Sequence, residues 1–159
     1  GILSGSQIDN SGIMDRYPTG HVLQLVRGED HSQLGKTTTA YEDVGLSAAI
    51  TPHSITNTIF IQWNQQINMS GSGRGMGTKL LRDDGGGFDE IFGSESGYDV
   101  YSGGNTADER VRATWFHSDV PAVLVACTYK VQVGNYNTNN VNYNDVGQST
   151  SIILMEIVS

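Results

Sequence analysis

A chain of 159 residues with 37% hydrophobic residues is long enough to form one domain with a buried core. Its net charge of −8, with nine basic residues scattered along the chain, excludes the clustered Lys and Arg of a nucleic-acid-binding surface. No apolar run is long enough to span a bilayer, and the single Cys127 excludes an intrachain disulfide.

Apolar and polar residues alternate with a period of two in successive segments, and helical spacing is not sustained over twelve residues. This pattern predicts an all-β fold, an antiparallel β-sandwich of jelly-roll-like type with eight or nine strands. We expect residues 1–20 to connect to an upstream shaft or partner and residues 21–159 to form the sandwich head. The predicted strands are His21–Arg27, Tyr41–Thr51, Thr58–Ile67, Lys79–Asp84, Phe88–Phe92, Arg110–Ser118, Leu124–Val133, Asn139–Asn144 and Thr150–Val158.

The alternation also predicts which side chains share a face of each strand. Leu23 and Leu25 fall on one face of the first strand, and Val125 falls on the same face as Cys127. Cys127 is therefore expected to be a small buried hydrophobic residue. Three further sets share one face each: the first is Val44, Leu46, Ala48 and Ile50; the second is Ile59, Ile61 and Trp63; the third is Val111, Ala113 and Trp115.

Two glycine-rich stretches interrupt the strands, Ser70–Gly77 and Gly93–Thr106. Both are predicted to be exposed connections, which often carry the binding residues of such folds.

Two segments partly match nucleotide-binding motifs, but each lacks a glycine that the motif requires. Leu34–Thr38 reads LGKTT, but Asp30 occupies the position of the first glycine of a phosphate-binding loop, so a turn between strands is expected. In Ser70–Gly77, Met76 stands where the third glycine of a dinucleotide-binding loop belongs. No cofactor is predicted.

Candidate metal and catalytic groups are weak. The histidines are far apart in the sequence, and the acidic group of Asp83, Asp84, Asp89 and Glu90 lacks the spacing of a calcium loop, so a solvated acidic turn is expected. Nothing selects a carboxylate pair for glycoside hydrolysis, and a nucleophilic serine motif is absent. We expect neither a metal site nor an enzyme.

Tyrosines in polar surroundings are the better functional candidates. Tyr98 and Tyr101 lie in the second glycine-rich stretch, and Tyr136 lies among asparagines. Tyrosine offers a rigid ring with a polar tip, which suits stacking on sugar rings or docking on a partner. These three residues are the predicted receptor-binding residues, although they could equally cover the ends of the sandwich.

A series of segments resembles a β-sandwich module of bacteriophage and marine viral tail-fibre or virion structural proteins. The segments are PTGHVLQLVRG, GLSAAITPHSITNTIFIQWN, LLRDD, DVPAVLVACTYKVQVG and STSIILMEI, which together span 18–157. The stretch Gly93–Thr106 departs from that pattern and is long enough to be specific to this chain.

The resemblance implies a jelly-roll-like head on the exterior of a virion, made in the host cytoplasm and often homotrimeric. Such a head would bind a host cell-surface glycan or protein and contact other virion proteins. Three alternatives remain: a capsid decoration or structural protein that binds neighbouring subunits, a carbohydrate-processing enzyme, and a cellular carbohydrate-binding module.

Overall fold

The computed structural model describes residues 17–94, 97–104 and 108–159. Most of the predicted connector, 1–20, lies outside these ranges. No helix among the described residues has the length and apolar character needed to cross a membrane. The strands are β1 Val22–Asp30, β2 Leu34–Lys36, β3 Glu42–Ile50, β4 Thr58–Ser70, β5 Arg74–Asp83, β6 Phe88–Gly93, β7 Val100–Ser102, β8 Asp108–Asp119, β9 Cys127–Asn135, β10 Val141–Tyr143 and β11 Thr150–Ile157.

The strands form two antiparallel sheets. The six-stranded sheet has the order β1-β11-β4-β10-β2, with β8 on the other side of β4, and the five-stranded sheet has the order β3-β9-β5-β6, with β7 paired to β5. When the three-residue strands β2, β7 and β10 are left out, the remaining eight strands can be numbered 1 to 8 in chain order. The two sheets then have the orders 1-8-3-6 and 2-7-4-5, which is a jelly roll of two Greek keys. The predicted fold class is confirmed, with eleven strands in place of eight or nine.

The core lies between the sheets and follows the predicted alternation. Trp63 is fully buried, stacks on Trp115 at 6.1 Å between ring centroids, and meets the edge of Phe92 at 5.5 Å. Trp115 is half-buried because β8 is an edge strand of its sheet. Cys127 is buried as predicted. Other fully buried side chains are Leu46, Ile59, Ile61, Ile67, Met69, Met76, Leu80, Tyr129, Tyr143, Ile152 and Leu154.

Two predicted positions differ in the structure. Leu25 is 59% exposed, because the register of β1 shifts between Val22 and Gln24, and Val26 packs against the core instead. Val125 is 53% exposed, because β9 begins only at Cys127.

Three predicted connections are partly strands. In Ser70–Gly77, the turn is confined to Gly71–Gly73, and the residues from Gly75 to Gly77 are buried in β5. In Gly93–Thr106, Val100–Ser102 forms β7 and pairs with β5. Leu34–Lys36 of the LGKTT segment forms β2 and pairs with β10. In all three places the tertiary pairing partner decides the conformation, and the local sequence does not contain that information.

The two ends of the sandwich are distinct. At the first, which we call the terminal end, Gly20 N–H donates to Val158 O and Val158 N–H donates to His21 O. At the other, which we call the tyrosine end, are the turn Gly71–Gly73 and the connection Tyr136–Asn140. The thirteen residues of β4 join the two ends, a span of roughly 40 Å at the rise of an extended strand.

Candidate recognition site

The three predicted tyrosines come together at the tyrosine end. The ring centroids of Tyr98 and Tyr136 lie 4.3 Å apart, those of Tyr98 and Tyr101 lie 5.1 Å apart, and those of Tyr101 and Tyr136 lie 5.3 Å apart. Tyr98 is 49% exposed and Tyr101 is 44% exposed. We call these three residues the tyrosine cluster.

Backbone pairing of the five-stranded sheet sets the position of each ring. Tyr101 lies on β7, opposite Gly75 of β5. Tyr136 directly follows β9, and its N–H donates to Gly75 O at 2.8 Å. Gly73 N–H donates to Ser102 O at 2.8 Å, which holds the end of β7 against the β4–β5 turn. Tyr98 and Tyr136, which are 38 positions apart in the chain (136 − 98), therefore share one small surface.

Two glycines make the close approach possible. A Cβ atom at Gly97 would lie 2.8 Å from Tyr136 Cα, and Gly97 has a φ of +64°, which disfavours any other residue. A Cβ atom at Gly75 would lie 2.9 Å from Tyr101 Cδ2. The glycine-rich composition is thus a requirement of ring packing at this end.

The cluster is also joined by a hydrogen bond. The Tyr98 hydroxyl donates to the Tyr136 hydroxyl, which favours the protonated phenol and raises the pKa of Tyr98 to about 12. At neutral pH the Tyr98 hydroxyl is therefore uncharged. The exposed surface presents ring faces and hydroxyl groups.

Asparagines surround the cluster on the connection Tyr136–Asn140. Asn137 Nδ2 donates to Gly73 O at 2.6 Å, and the Arg74 guanidinium donates to Asn140 O. These bonds tie the connection to the β4–β5 turn. The combination of fixed aromatic faces and amide groups can stack on a sugar ring and hydrogen-bond its hydroxyls.

Two polar groupings escaped sequence reasoning. At the terminal end, the buried Glu156 carboxylate accepts bonds from Gln24, His53 and Asn57. The sequence feature that could have indicated this grouping is a carboxylate at a core-facing position of β11. On β8, Arg110 and Arg112 lie on one face beside Asp145. The sequence feature that could have indicated this grouping is a pair of arginines separated by one residue in a predicted strand.

The acidic group flanks the β5–β6 turn: Asp83 ends β5, Asp84 lies in the turn, and Asp89 and Glu90 lie on β6. Asp83 Oδ1 accepts bonds from Gly85 N–H and Gly87 N–H, which lower its pKa, and Asp84 pairs with Arg82 at 3.1 Å. Among residues 17–94, 97–104 and 108–159, no three His, Cys, Asp or Glu side chains converge to hold a metal ion.

No protein-family model matches the chain, and no curated protein matches it either. Solved structures do resemble it. A crystal structure of the infectious bursal disease virus VP2 subviral particle superposes with a TM-score of 0.53 at 11% identity, over 85% of this chain and 32% of that one. A structure of the Gx strain of the same virus superposes with a TM-score of 0.49 at 11% identity, over 86% of this chain and 37% of that one. The Eiger TNF of S. frugiperda gives 0.44 at 12% identity, over 82% and 92%.

The chain spans about a third of the length of the VP2 chains that it matches. At such low identity the likeness to the VP2 particle shows the fold alone. The predicted jelly-roll-like sandwich is confirmed, and the bacteriophage tail-fibre origin stays a prediction.

Proposed function

We propose that this chain is a virion-exterior module that binds a host-surface saccharide through Tyr98, Tyr101 and Tyr136. The observation that carries the proposal is the convergence of three rings within 5.3 Å of one another, two of them, Tyr98 and Tyr101, about half-exposed. The jelly-roll fold, shared with a capsid protein at a TM-score of 0.53, supports the virion setting.

The orientation of the chain supports a recognition role. The terminal end, with Gly20, His21 and Val158, lies about one strand length from the tyrosine cluster. A neighbouring part of a virion attached at the terminal end would leave the cluster facing outward. The role is binding, with no catalytic step and no cofactor.

Rigidity of the cluster supports saccharide binding in particular. Sugars bind with few contacts, so the loss of side-chain freedom on binding must be small. Here glycine packing and the hydrogen bond from Tyr98 to Tyr136 order the rings in advance. Saturation-transfer NMR with a panel of free mono- and disaccharides tests the proposal. Transfer to sugar C–H groups is expected, and its persistence in a Tyr98→Ala, Tyr101→Ala double variant would contradict the proposed site.

A second candidate is a decoration or structural protein that contacts neighbouring virion subunits. This candidate is supported by a row of apolar side chains on the outer face of the six-stranded sheet, which we call the outer apolar row. It has one residue from each of β1, β11, β4 and β8: Leu25, Met155, Phe60 and Phe116. Leu25 faces Met155 and Met155 faces Phe60 in register, and Phe60 stacks with Phe116 at 6.4 Å. Phe116 is 69% exposed and Leu25 is 59% exposed.

A homotrimer is the proposed assembly, since it would cover the outer apolar row and the edge of β8 that pairs with no other strand among the described residues. Light scattering at micromolar concentration should give three times the chain mass of 17.2 kDa. A double variant, Leu25→Ser with Phe116→Ser, should give the monomer mass. A monomeric wild-type chain would contradict the trimer.

A further inference from the structure

A groove of about 470 Å³ lies on the outer face of the six-stranded sheet, toward the tyrosine end. Its size is within the range of small-molecule binding sites. The lining residues are Gln66, Arg110, Val111, Arg112, Asp145 and Gln148.

Register places the two arginines on the outer face. Arg112 faces Gln66 across the β4–β8 pair, and Arg110 faces Asn68. The turn Asp145–Gly147 approaches this face, because Asp145 N–H donates to Gln66 Oε1 at 2.7 Å. The guanidinium groups therefore line a shallow depression that is bordered by the turn Asp145–Gly147.

Arg112 carries a positive charge that is held in place by neutral oxygens. It donates to Asn64 Oδ1 and Ser149 O at 2.7 Å each, and to Gln148 Oε1 at 3.3 Å. Within the described ranges no carboxylate lies within 4.0 Å of it. Five other cations, by contrast, have a carboxylate partner within 3.1 Å: Arg27, Lys36, Lys79, Arg82 and Lys130.

Arg110 remains available for a ligand. Its side chain is 58% exposed, and its carboxylate contact, with Asp145 Oδ2, is long at 3.5 Å. That carboxylate is already bonded, because Asn68 Nδ2 donates to Oδ2 at 2.6 Å and Gln33 Nε2 donates to Oδ1 at 3.1 Å. The groove residues include two arginines and one carboxylate, Asp145, so the groove is locally positive in a chain of net charge −8.

We propose that this groove binds the carboxylate or sulfate group of an acidic saccharide, with Arg110 as the mobile donor and Arg112 as the fixed positive charge. Arginine suits either group, because its planar fork donates two parallel hydrogen bonds. The inference rests on the proposed function, since it specifies the charge of the saccharide that the module binds.

The experiment follows the side-chain Nε–Hε signals of Arg110 and Arg112 by NMR while sialyllactose, sulfated lactose or neutral lactose is added. At least one acidic probe should shift both signals, and lactose should shift neither. The acidic probe that binds more tightly identifies carboxylate or sulfate as the preferred group. Arg110→Gln should weaken binding roughly tenfold, and Arg110→Lys should weaken it less, because the charge remains and the fork is lost.

Arg27→Gln is the matched control, since Arg27 is exposed, pairs with Glu29 and is not among the groove's lining residues. It removes the same charge and should leave affinity within about twofold. The inference is overturned if lactose shifts the signals as the acidic probes do, if no acidic probe shifts them, or if Arg110→Gln binds like Arg27→Gln. The Tyr98→Ala, Tyr101→Ala double variant separates the two proposals. If it retains full saccharide binding and the acidic probe still shifts the Arg110 and Arg112 signals, the tyrosine site is contradicted and the groove is supported.

Discussion

His53 Nδ1 lies 2.7 Å from Oε2 of Glu156, a carboxylate with no solvent-exposed surface on the closing strand. The same carboxylate accepts bonds from His53 N–H at 2.6 Å, Asn57 Nδ2 at 2.7 Å and Gln24 Nε2 at 2.6 Å. Glu156 therefore ties β1, β11 and the β3–β4 turn together at the terminal end.

This arrangement predicts an acid-sensitive contribution to stability. Burial opposes ionisation of Glu156, but the bonds from His53, Asn57 and Gln24 outweigh it and lower the pKa of the carboxyl group. The contribution is therefore present above the unfolded pKa of about 4.3 and is lost as pH falls through the lower folded pKa. Urea unfolding as a function of pH should show the free energy of unfolding falling below about pH 4.3.

Glu156→Gln should lower the free energy of unfolding by about 2–4 kcal/mol at pH 7, because the charge is lost and the donors to one carboxylate oxygen then face an NH2 group. The substitution should also make the free energy of unfolding depend less on pH in the acid range. Part of that dependence would remain, because the pKa values of Asp43 and Asp83 are also lowered. Glu29→Gln, at a surface pair with Arg27, is the control and should cost less than about 1 kcal/mol. Equal effects of the two substitutions would refute the stabilising role of Glu156.

The packing of the tyrosine cluster predicts a difference between two glycines. Gly97 and Gly73 have nearly the same φ, +64° and +66°, but a Cβ at Gly73 would have no atom within 4 Å. Backbone strain is thus common to both, and only Gly97→Ala also forces Tyr136 away. In urea unfolding we expect Gly97→Ala to cost at least about 1 kcal/mol more than Gly73→Ala. Identical losses would show that the rings are not held by this contact.

The hydrogen bond within the cluster predicts an unusual titration. NMR of ring-labelled tyrosine should show Tyr98 still protonated at about pH 11, since its pKa is about 12. In Tyr136→Phe the acceptor is missing, so the pKa of Tyr98 should fall toward the ordinary value of about 10. An unchanged Tyr98 titration in that variant would rule out the bond.

The sequence was sufficient for the class of fold, and it singled out three tyrosines that the structure brings together, although their role in binding stays a prediction. Period-two alternation in β3 and β4 placed Leu46, Ile61 and Trp63 correctly, because one face of each strand is buried. Tyr98, Tyr101 and Tyr136 stood out as aromatic residues in polar surroundings.

What the sequence could not show depends on long-range pairing. The contact between Tyr98 and Tyr136 requires β7 and β9 to meet at β5, and nothing local encodes that register. The exposure of Leu25 follows from a bulge in β1 that only its pairing with β11 reveals. The groove beside Arg112 likewise needs the turn Asp145–Gly147 to approach β4.

The most direct measurement is a glycan array probed with wild-type protein, the Tyr98→Ala, Tyr101→Ala double variant, and Tyr17→Ala. Tyr17 is the matched control, because it is 39% exposed and stacks on His21 at the terminal end. The tyrosine cluster predicts binding to a defined set of glycans that falls at least about tenfold in the double variant and is unchanged in Tyr17→Ala. Absence of binding by the wild-type protein, or equal binding by all three proteins, would contradict a saccharide-recognition role for the cluster.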